Sequence, residues 1–335
     1  MPKQLFVAAT RQNDGKTMVS LGLFHAFQKR FSKTAYMKPV GQQYRVIDGK
    51  KIDKDAVLIS TIYHLQDNLQ DMSPIAVPRG FTTEYIESGN RDKLVSKLMT
   101  SQESLAKNND FILYEGTGHA GVGSVFDMSN AAVAKLVGSK VVLVGIGGIG
   151  SSIDELMLNK ASFDQQGVDV IGVIINKVRE EKYDKISGLV RKALARHNLP
   201  VFGVIPLVNM LSWPSILELK EDLNAELLSS GDGLLNTAEK FVIGDMPPHD
   251  ALSTFSKNTV LIVPGNHEGL ILAALFGNVS GIIFTNGRRP DAKVMDLVLK
   301  AQIPVLLVKE DSFTLAATIN QIGRASCRER VYVLV

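Results

Sequence analysis

An apolar run at residues 5–9 breaks into Thr10-Arg11-Gln12-Asn13-Asp14-Gly15-Lys16-Thr17, and a helical pattern opens at once over 17–30. Few local patterns constrain a fold as tightly. A strand that turns through a glycine into a helix starting Lys-Thr places backbone N–H groups around an anion, where the helix dipole favours negative charge. In a phosphate loop of this kind the lysine reaches the β and γ oxygens of a nucleotide, and the threonine hydroxyl coordinates magnesium. The first glycine of G-x-x-x-x-G-K-[ST] is absent, and Thr10 stands in its place. The tripeptide recurs by chance; its position directly after a strand and at the mouth of a helix gives it weight.

The remainder of the first two hundred residues repeats a strand–helix rhythm. Apolar runs at 34–37, 111–114, 141–145, 170–175 and 202–205 are rich in Val, Ile, Leu and Phe and scarcely alternate, as strands covered on both faces do. Helical stretches at 91–107, 129–136, 153–166 and 182–197 separate them. The prediction is an α/β fold of the P-loop NTPase type, a parallel sheet with helices on both faces, over residues 1–206. After Pro206 the rhythm pauses through a helix-like 216–228 and a Gly-rich turn at 229–233. Strands at 240–243, 259–263, 281–285 and 305–308 then alternate with helices at 269–276 and 292–301. This second, smaller α/β domain is assigned to 207–321.

Residues 322–335 break the pattern. Gly323-Arg324-Ala325-Ser326-Cys327-Arg328-Glu329-Arg330 and an apolar end resemble a translated sequencing adapter and are expected to be non-native. The only cysteine, Cys327, falls there, so no thiol chemistry is expected elsewhere. With three arginines and one glutamate in that tail, the formal charge of +3 becomes +1 without it. Neither value makes a nucleic-acid field. No apolar run approaches the roughly 20 residues of a membrane span, and the start is too short for a signal peptide. A cytoplasmic protein with neither nucleic acid nor membrane as partner is expected.

Three further features stand where a phosphate loop would use them. Lys38 follows the second strand in Lys38-Pro39-Val40, at the C-terminal sheet edge where ligands bind. Asp55 opens an apolar helical stretch. Glu115, before Gly116-Thr117-Gly118, directly follows the third strand, a position suited to magnesium or to a water. Asn176 ends another strand, and its amide carries the donor and acceptor that match adenine. The candidate nucleotide contacts are Asn13, Asp14, Gly15, Lys16, Thr17, Met18 and Asn176. The candidate magnesium ligands are Thr17, Asp55 and Glu115, and the candidate catalytic groups are Lys16 and Lys38. Gly145-Ile146-Gly147-Gly148-Ile149-Gly150 also fits a dinucleotide fingerprint. It follows about the fourth strand, however, and neither Asp164 nor Asp169 ends a following one, so it reads as a tight turn lining the ATP site. His119 and His267 have no metal-ligand spacing.

In order and spacing, Gly15-Lys16-Thr17, Lys38-Pro39-Val40, Asp55, Glu115-Gly116 and Asn176 resemble dethiobiotin synthetase. That resemblance implies lysines on phosphates and substrate, Thr17, Asp55 and Glu115 on magnesium, Asn176 on adenine, and a homodimer. The second half resembles the DRTGG domain through Val263-Pro264-Gly265-Asn266-His267, residues 281–287, Ile303-Pro304-Val305 and Asp311-Ser312-Phe313. The pair is similar to the N-terminal region of long bacterial phosphate acetyltransferases and to stand-alone proteins of the same plan. The synthetase has Gly where Ala9 stands, acids where Arg11 and Asn13 stand, and a small serine where Gln42 and Gln43 follow Gly41. These departures point away from the biotin-pathway substrate. Two readings stay open. One is an ATPase with a regulatory role linked to phosphate acetyltransferase-type metabolism, its second domain binding an unknown small metabolite. The other is an ATP-dependent ligase acting on a small carboxylate or carbamate.

Overall fold

The computed structural model describes residues 2–325. Its chain divides into two compact units, one ending at Leu207 and the other beginning at Val208.

The first unit is built on six parallel strands: β1 (Lys3–Ala9), β2 (Thr34–Met37), β3 (Phe111–Glu115), β4 (Lys140–Ile146), β5 (Val170–Val178) and β6 (Val201–Pro206). They lie in the order β6-β5-β4-β1-β3-β2. Every residue of β2 and β3 is buried, which requires cover on both faces of the sheet. The chain leaves β1 for the far edge at β2, returns to β3, and only then builds outward through β4. Strand order therefore changes direction around β1, and in open parallel sheets the crevice at such a switch is where ligands sit. Register puts the end of β3 beside the middle of β1, with Val7 opposite Glu115, and Ala9 opposite Val144 of β4. The segment after β1 thus emerges between the C-terminal ends of β3 and β4.

Between β2 and β3 the chain does more than the sequence suggests. A two-residue strand at Val40–Gly41 pairs with Ile75–Ala76, and a hairpin joins Tyr44–Ile47 to Lys50–Asp53. Helix α2 (Lys54–Tyr63) follows the hairpin directly. Asp53 caps it through a carboxylate oxygen that accepts the Asp55 N–H, satisfying one of the orphan amides of the first turn.

The second unit has a five-stranded sheet of β7 (Glu226–Ser229), β8 (Lys240–Ile243), β9 (Thr259–Pro264), β10 (Gly281–Thr285) and β11 (Val305–Leu307). The order is β7-β11-β10-β9-β8, parallel except for β7. One apolar layer contains Leu261, Val263, Leu270, Ile271, Phe284 and Val298. The other contains Ile216, Leu219, Val260, Ile262, Ile283 and Leu306. Inward alternation along β9 and β10 feeds both layers.

The helix expected over 216–228 is corrected. It ends at Asp222; Asn224 turns left-handed at φ +47°, and Glu226–Ser229 becomes the antiparallel strand β7. Of the tail singled out at 322–335, residues 322–325 continue the helix Ser312–Ala325. Residues 326–335, with Cys327, lie outside the described residues. No helix among the described residues is long and apolar enough to cross a membrane.

Candidate functional site

The loop after β1 closes on itself before it meets anything else. The Thr10 hydroxyl donates to Asp14 Oδ2 at 2.7 Å, and the Arg11 N–H donates to the same oxygen at 2.8 Å. Thr10, standing where a glycine is usual, thereby ties residue 10 to residue 14. Two loop residues are left-handed, Asn13 at φ +68° and Gly15 at φ +92°. Asparagine tolerates that conformation, and glycine is required at 15 for a second reason. A Cβ there would lie 2.2 Å from Asn176 Nδ2. The helix α1 (Lys16–Gln28) begins immediately, and its first helical bond runs from the Val19 N–H to the Gly15 carbonyl. The N–H groups of Lys16, Thr17 and Met18 therefore precede the intrahelical ladder, as an anion-binding helix start requires. Met18 is half-buried in that first turn. Lys16 is buried, and its ammonium reaches back over the loop to the Arg11 carbonyl at 3.3 Å.

Beside the loop, four side chains from four elements meet. Glu115, the last residue of β3, is fully buried. Its Oε1 accepts the Thr17 hydroxyl at 3.0 Å and the Lys38 ammonium at 2.7 Å. Lys38, just past β2, also donates to Asp55 Oδ2 at 2.7 Å. Lys38 and Asp55 are each 1% exposed, so this ion pair has left bulk water. Burial makes such a pair poor evidence for stability and good evidence for a site, because two desolvated charges seldom repay their hydration. The structure thus brings Thr17, Lys38, Asp55 and Glu115 to one corner of the sheet, and Lys16, next to Thr17, reaches instead toward the Arg11 carbonyl.

Tyr36 belongs to the same corner and was missed. Its hydroxyl donates to Glu115 Oε2 at 3.0 Å. Burial first, and then the nearby carboxylates of Glu115, Asp55 and Asp53, push the phenol well above its ordinary range, so it stays a donor. The signal was available. Tyr36 stands two residues before Lys38, and period 2 along a strand puts both on one face.

Asn176 sits on the other flank. β5 runs on through Asn176 and Lys177 to Val178, beyond the expected strand end at 175. The Asn176 amide donates to the Asp14 carbonyl at 2.9 Å, and the Lys177 ammonium donates to the Asn13 carbonyl at 2.7 Å. The neighbouring glycine cluster is a close-packing turn: the Gly147 N–H donates to the Asn176 carbonyl, and a Cβ at 147 would lie 2.8 Å from Val178 Cα. Asp169 precedes β5, at the opposite sheet edge from this turn. His119 and His267 are exposed.

The donors fit a magnesium ion by their chemistry. A hydroxyl and two carboxylates are hard oxygen ligands. Among the described residues there is no group of three or more His, Cys, Asp or Glu side chains that could hold a metal. Magnesium does not need one, since it binds through one or two carboxylates and takes its remaining ligands from water and phosphate.

The phosphate acetyltransferase of Synechocystis sp. is 27% identical over 97% of this chain and 48% of its own length. The ATP-dependent dethiobiotin synthetase BioD of Clostridium kluyveri is 27% identical over 57% of this chain and 82% of its own. Among solved structures, a putative plasmid partition protein from Borrelia burgdorferi bound to AMPPNP covers 62% of this chain and 86% of that one, a weak likeness at 13% identity and TM-score 0.41. The chain spans about half the length of the phosphate acetyltransferases it matches. Residues 3–215 match the AAA domain family and residues 218–322 the DRTGG domain. The chain therefore belongs to the AAA domain family, as a dethiobiotin synthetase-like P-loop domain with a DRTGG domain behind it.

Proposed function

We propose that this chain binds ATP with magnesium at the end of β1 and hydrolyses it in a regulatory role linked to phosphate acetyltransferase-type metabolism. The observation that supports this most is the meeting of Thr17, Lys38, Asp55 and Glu115 beside a loop of unladdered amides over which the Lys16 ammonium reaches back. In this reading the backbone from Asn13 to Met18 cradles the phosphates. Thr17, Asp55 and Glu115 hold the metal. When bound, magnesium would neutralise charge on the terminal phosphates. Lys16 and Lys38 place fixed positive charge where phosphoryl oxygens gain negative charge, and their burial means no water has to reorganise around them. Tyr36 fixes Glu115 from its far oxygen, so that carboxylate presents Oε1 alone to the site. For Asn176 to read adenine, its amide would have to exchange the Asp14 carbonyl for the base. The regulatory part rests on the DRTGG domain and on relatives in which the same pair forms roughly half of a phosphate acetyltransferase.

The similarity to an ATP-dependent dethiobiotin synthetase favours a second reading, ATP-dependent activation of a small carboxylate or carbamate. Turnover separates the two. Phosphate release that rises with an added carboxylate or diamine indicates a ligase, and slow release indifferent to both indicates the regulatory ATPase. The nucleotide site itself is tested by melting temperature. ATP with magnesium should raise it in the wild type and leave it unmoved in Lys16→Ala; an equal rise in both would refute the assignment.

A further inference from the structure

We infer that Lys177 is a positioning residue for the phosphate loop, one half of a clasp that β5 closes on two consecutive loop carbonyls. The inference deepens the nucleotide reading above and rests on it. Its basis is a backbone argument. Asn176 and Lys177 are adjacent, and their side chains reach the adjacent carbonyls of Asp14 and Asn13 at 2.9 and 2.7 Å. In a trans peptide the carbonyl of one residue and the N–H of the next point in opposite directions. Drawing the carbonyls of 13 and 14 toward β5 therefore turns the N–H groups of Asp14 and Gly15 to the loop's opposite side. A phosphate-binding loop needs its amides gathered in this way.

Two further observations support a built contact over an incidental one. Lys177 is left-handed at φ +57°, a conformation uncommon for a lysine and one that surrounding structure must hold in place. Gly15 packs so closely on Asn176 that a Cβ would collide with the clasping amide. Loop and strand end have no slack between them. The clasp also answers a conflict in the site. If Asn176 turns to adenine it releases the Asp14 carbonyl, and the Lys177 contact to Asn13 is then what keeps the loop in shape. The ammonium suits that task because a charged donor makes a stronger hydrogen bond than a neutral one.

The test compares the wild type with Lys177→Met, which keeps most of the chain length and loses the donor, and Lys177→Arg, which keeps donors. Without nucleotide, hydrogen exchange across residues 10–17 should quicken in Lys177→Met and stay near wild type in Lys177→Arg. In calorimetric titrations, Lys177→Met should weaken ADP about tenfold while AMP, which has no β-phosphate for the loop, changes little; Lys177→Arg should recover most of the loss. Unchanged ADP affinity in Lys177→Met, equal losses for ADP and AMP, or an arginine variant as weak as the methionine one would each overturn the clasp. Should Lys177→Met fold poorly, Lys177→Gly serves in its place, since glycine accepts φ +57° without strain. A wild type that binds no ADP would sink the nucleotide reading instead. The exchange rates would still report whether Lys177 orders the loop.

Discussion

The Thr10 hydroxyl and the Arg11 amide both donate to one oxygen of the Asp14 carboxylate, Oδ2. Asparagine also offers one oxygen, so Asp14→Asn can keep the loop's internal closure while removing its charge. Burial raises the Asp14 carboxyl above its ordinary range, although Thr10, Arg11 and Lys16 pull it back in part. An acid whose folded pKa lies above the unfolded one loses stability by ionising in the fold, and this loss is complete above the folded pKa and absent well below the unfolded one. Asp14→Asn should therefore melt higher than the wild type at pH 7, by a margin that narrows as pH falls toward 4. Melting curves of both proteins across that range are the check, and a margin constant with pH would contradict it. At this scale the sequence was half legible. Lys16, Thr17, Lys38, Asp55 and Glu115 could be singled out because each stands at the end of a strand or the start of a helix. Thr10 and Lys177 could not, because they bear on the loop through closures that no spacing rule encodes.

Among elements, the helix Ile216–Asp222 shows what local pattern can and cannot decide. Its start is written plainly. Ser215 and Glu218 form a capping box in which the serine hydroxyl accepts the Glu218 N–H at 3.1 Å and the glutamate accepts the Ser215 N–H at 2.6 Å. Its end is hidden. Leu219, Leu223 and Leu227 recur every four residues, a helical face, and the stop is only Asn224 in the left-handed region. What overrides the pattern is a place on the sheet edge: Glu226–Ser229 finds an antiparallel partner in Val305–Leu307. Tertiary pairing of this kind is invisible to periodicity. The short run from Val40 to Asp53 was opaque for a related reason, since the hairpin strands Tyr44–Ile47 and Lys50–Asp53 are four residues each and only Ile52 and Asp53 are buried. By contrast the β1–loop–α1 unit, whose strand is buried from Leu5 to Ala9 and whose helix opens on buried Lys16 and Thr17, could be read from its first residues. The cap yields a prediction for the second unit. Ser215→Ala should destabilise it by about 1–2 kcal/mol, while Ser215→Thr, which keeps the hydroxyl that also donates to Glu218 Oε2, keeps most of the stability. Denaturant unfolding decides: equal midpoints for Ala and wild type would mean that the box contributes nothing.

For the molecule as a whole, the main physical fact is that two sheets share no strand. The first unit, through Leu207, orders six strands around β1, and the second orders five between its own two apolar layers. Each unit is long enough to bury a core of its own, and a core is what makes unfolding cooperative. Every residue assigned to the nucleotide lies before Leu207, so ligand binding should stabilise that unit directly and the other only through coupling between the two. Binding at a hundred times Kd adds about 2.7 kcal/mol to whatever holds the site. For a unit of roughly 200 residues that corresponds to a rise of about 5–10 °C. Scanning calorimetry should then resolve two transitions. ATP with magnesium should raise most the transition that Lys16→Ala leaves unresponsive, and Ser215→Ala should lower the other. A smaller rise in the second transition is what the regulatory role predicts, and none at all would count against that role. The regulatory reading needs a nucleotide signal that reaches the DRTGG domain by some route, and the size of that smaller rise would measure the coupling directly.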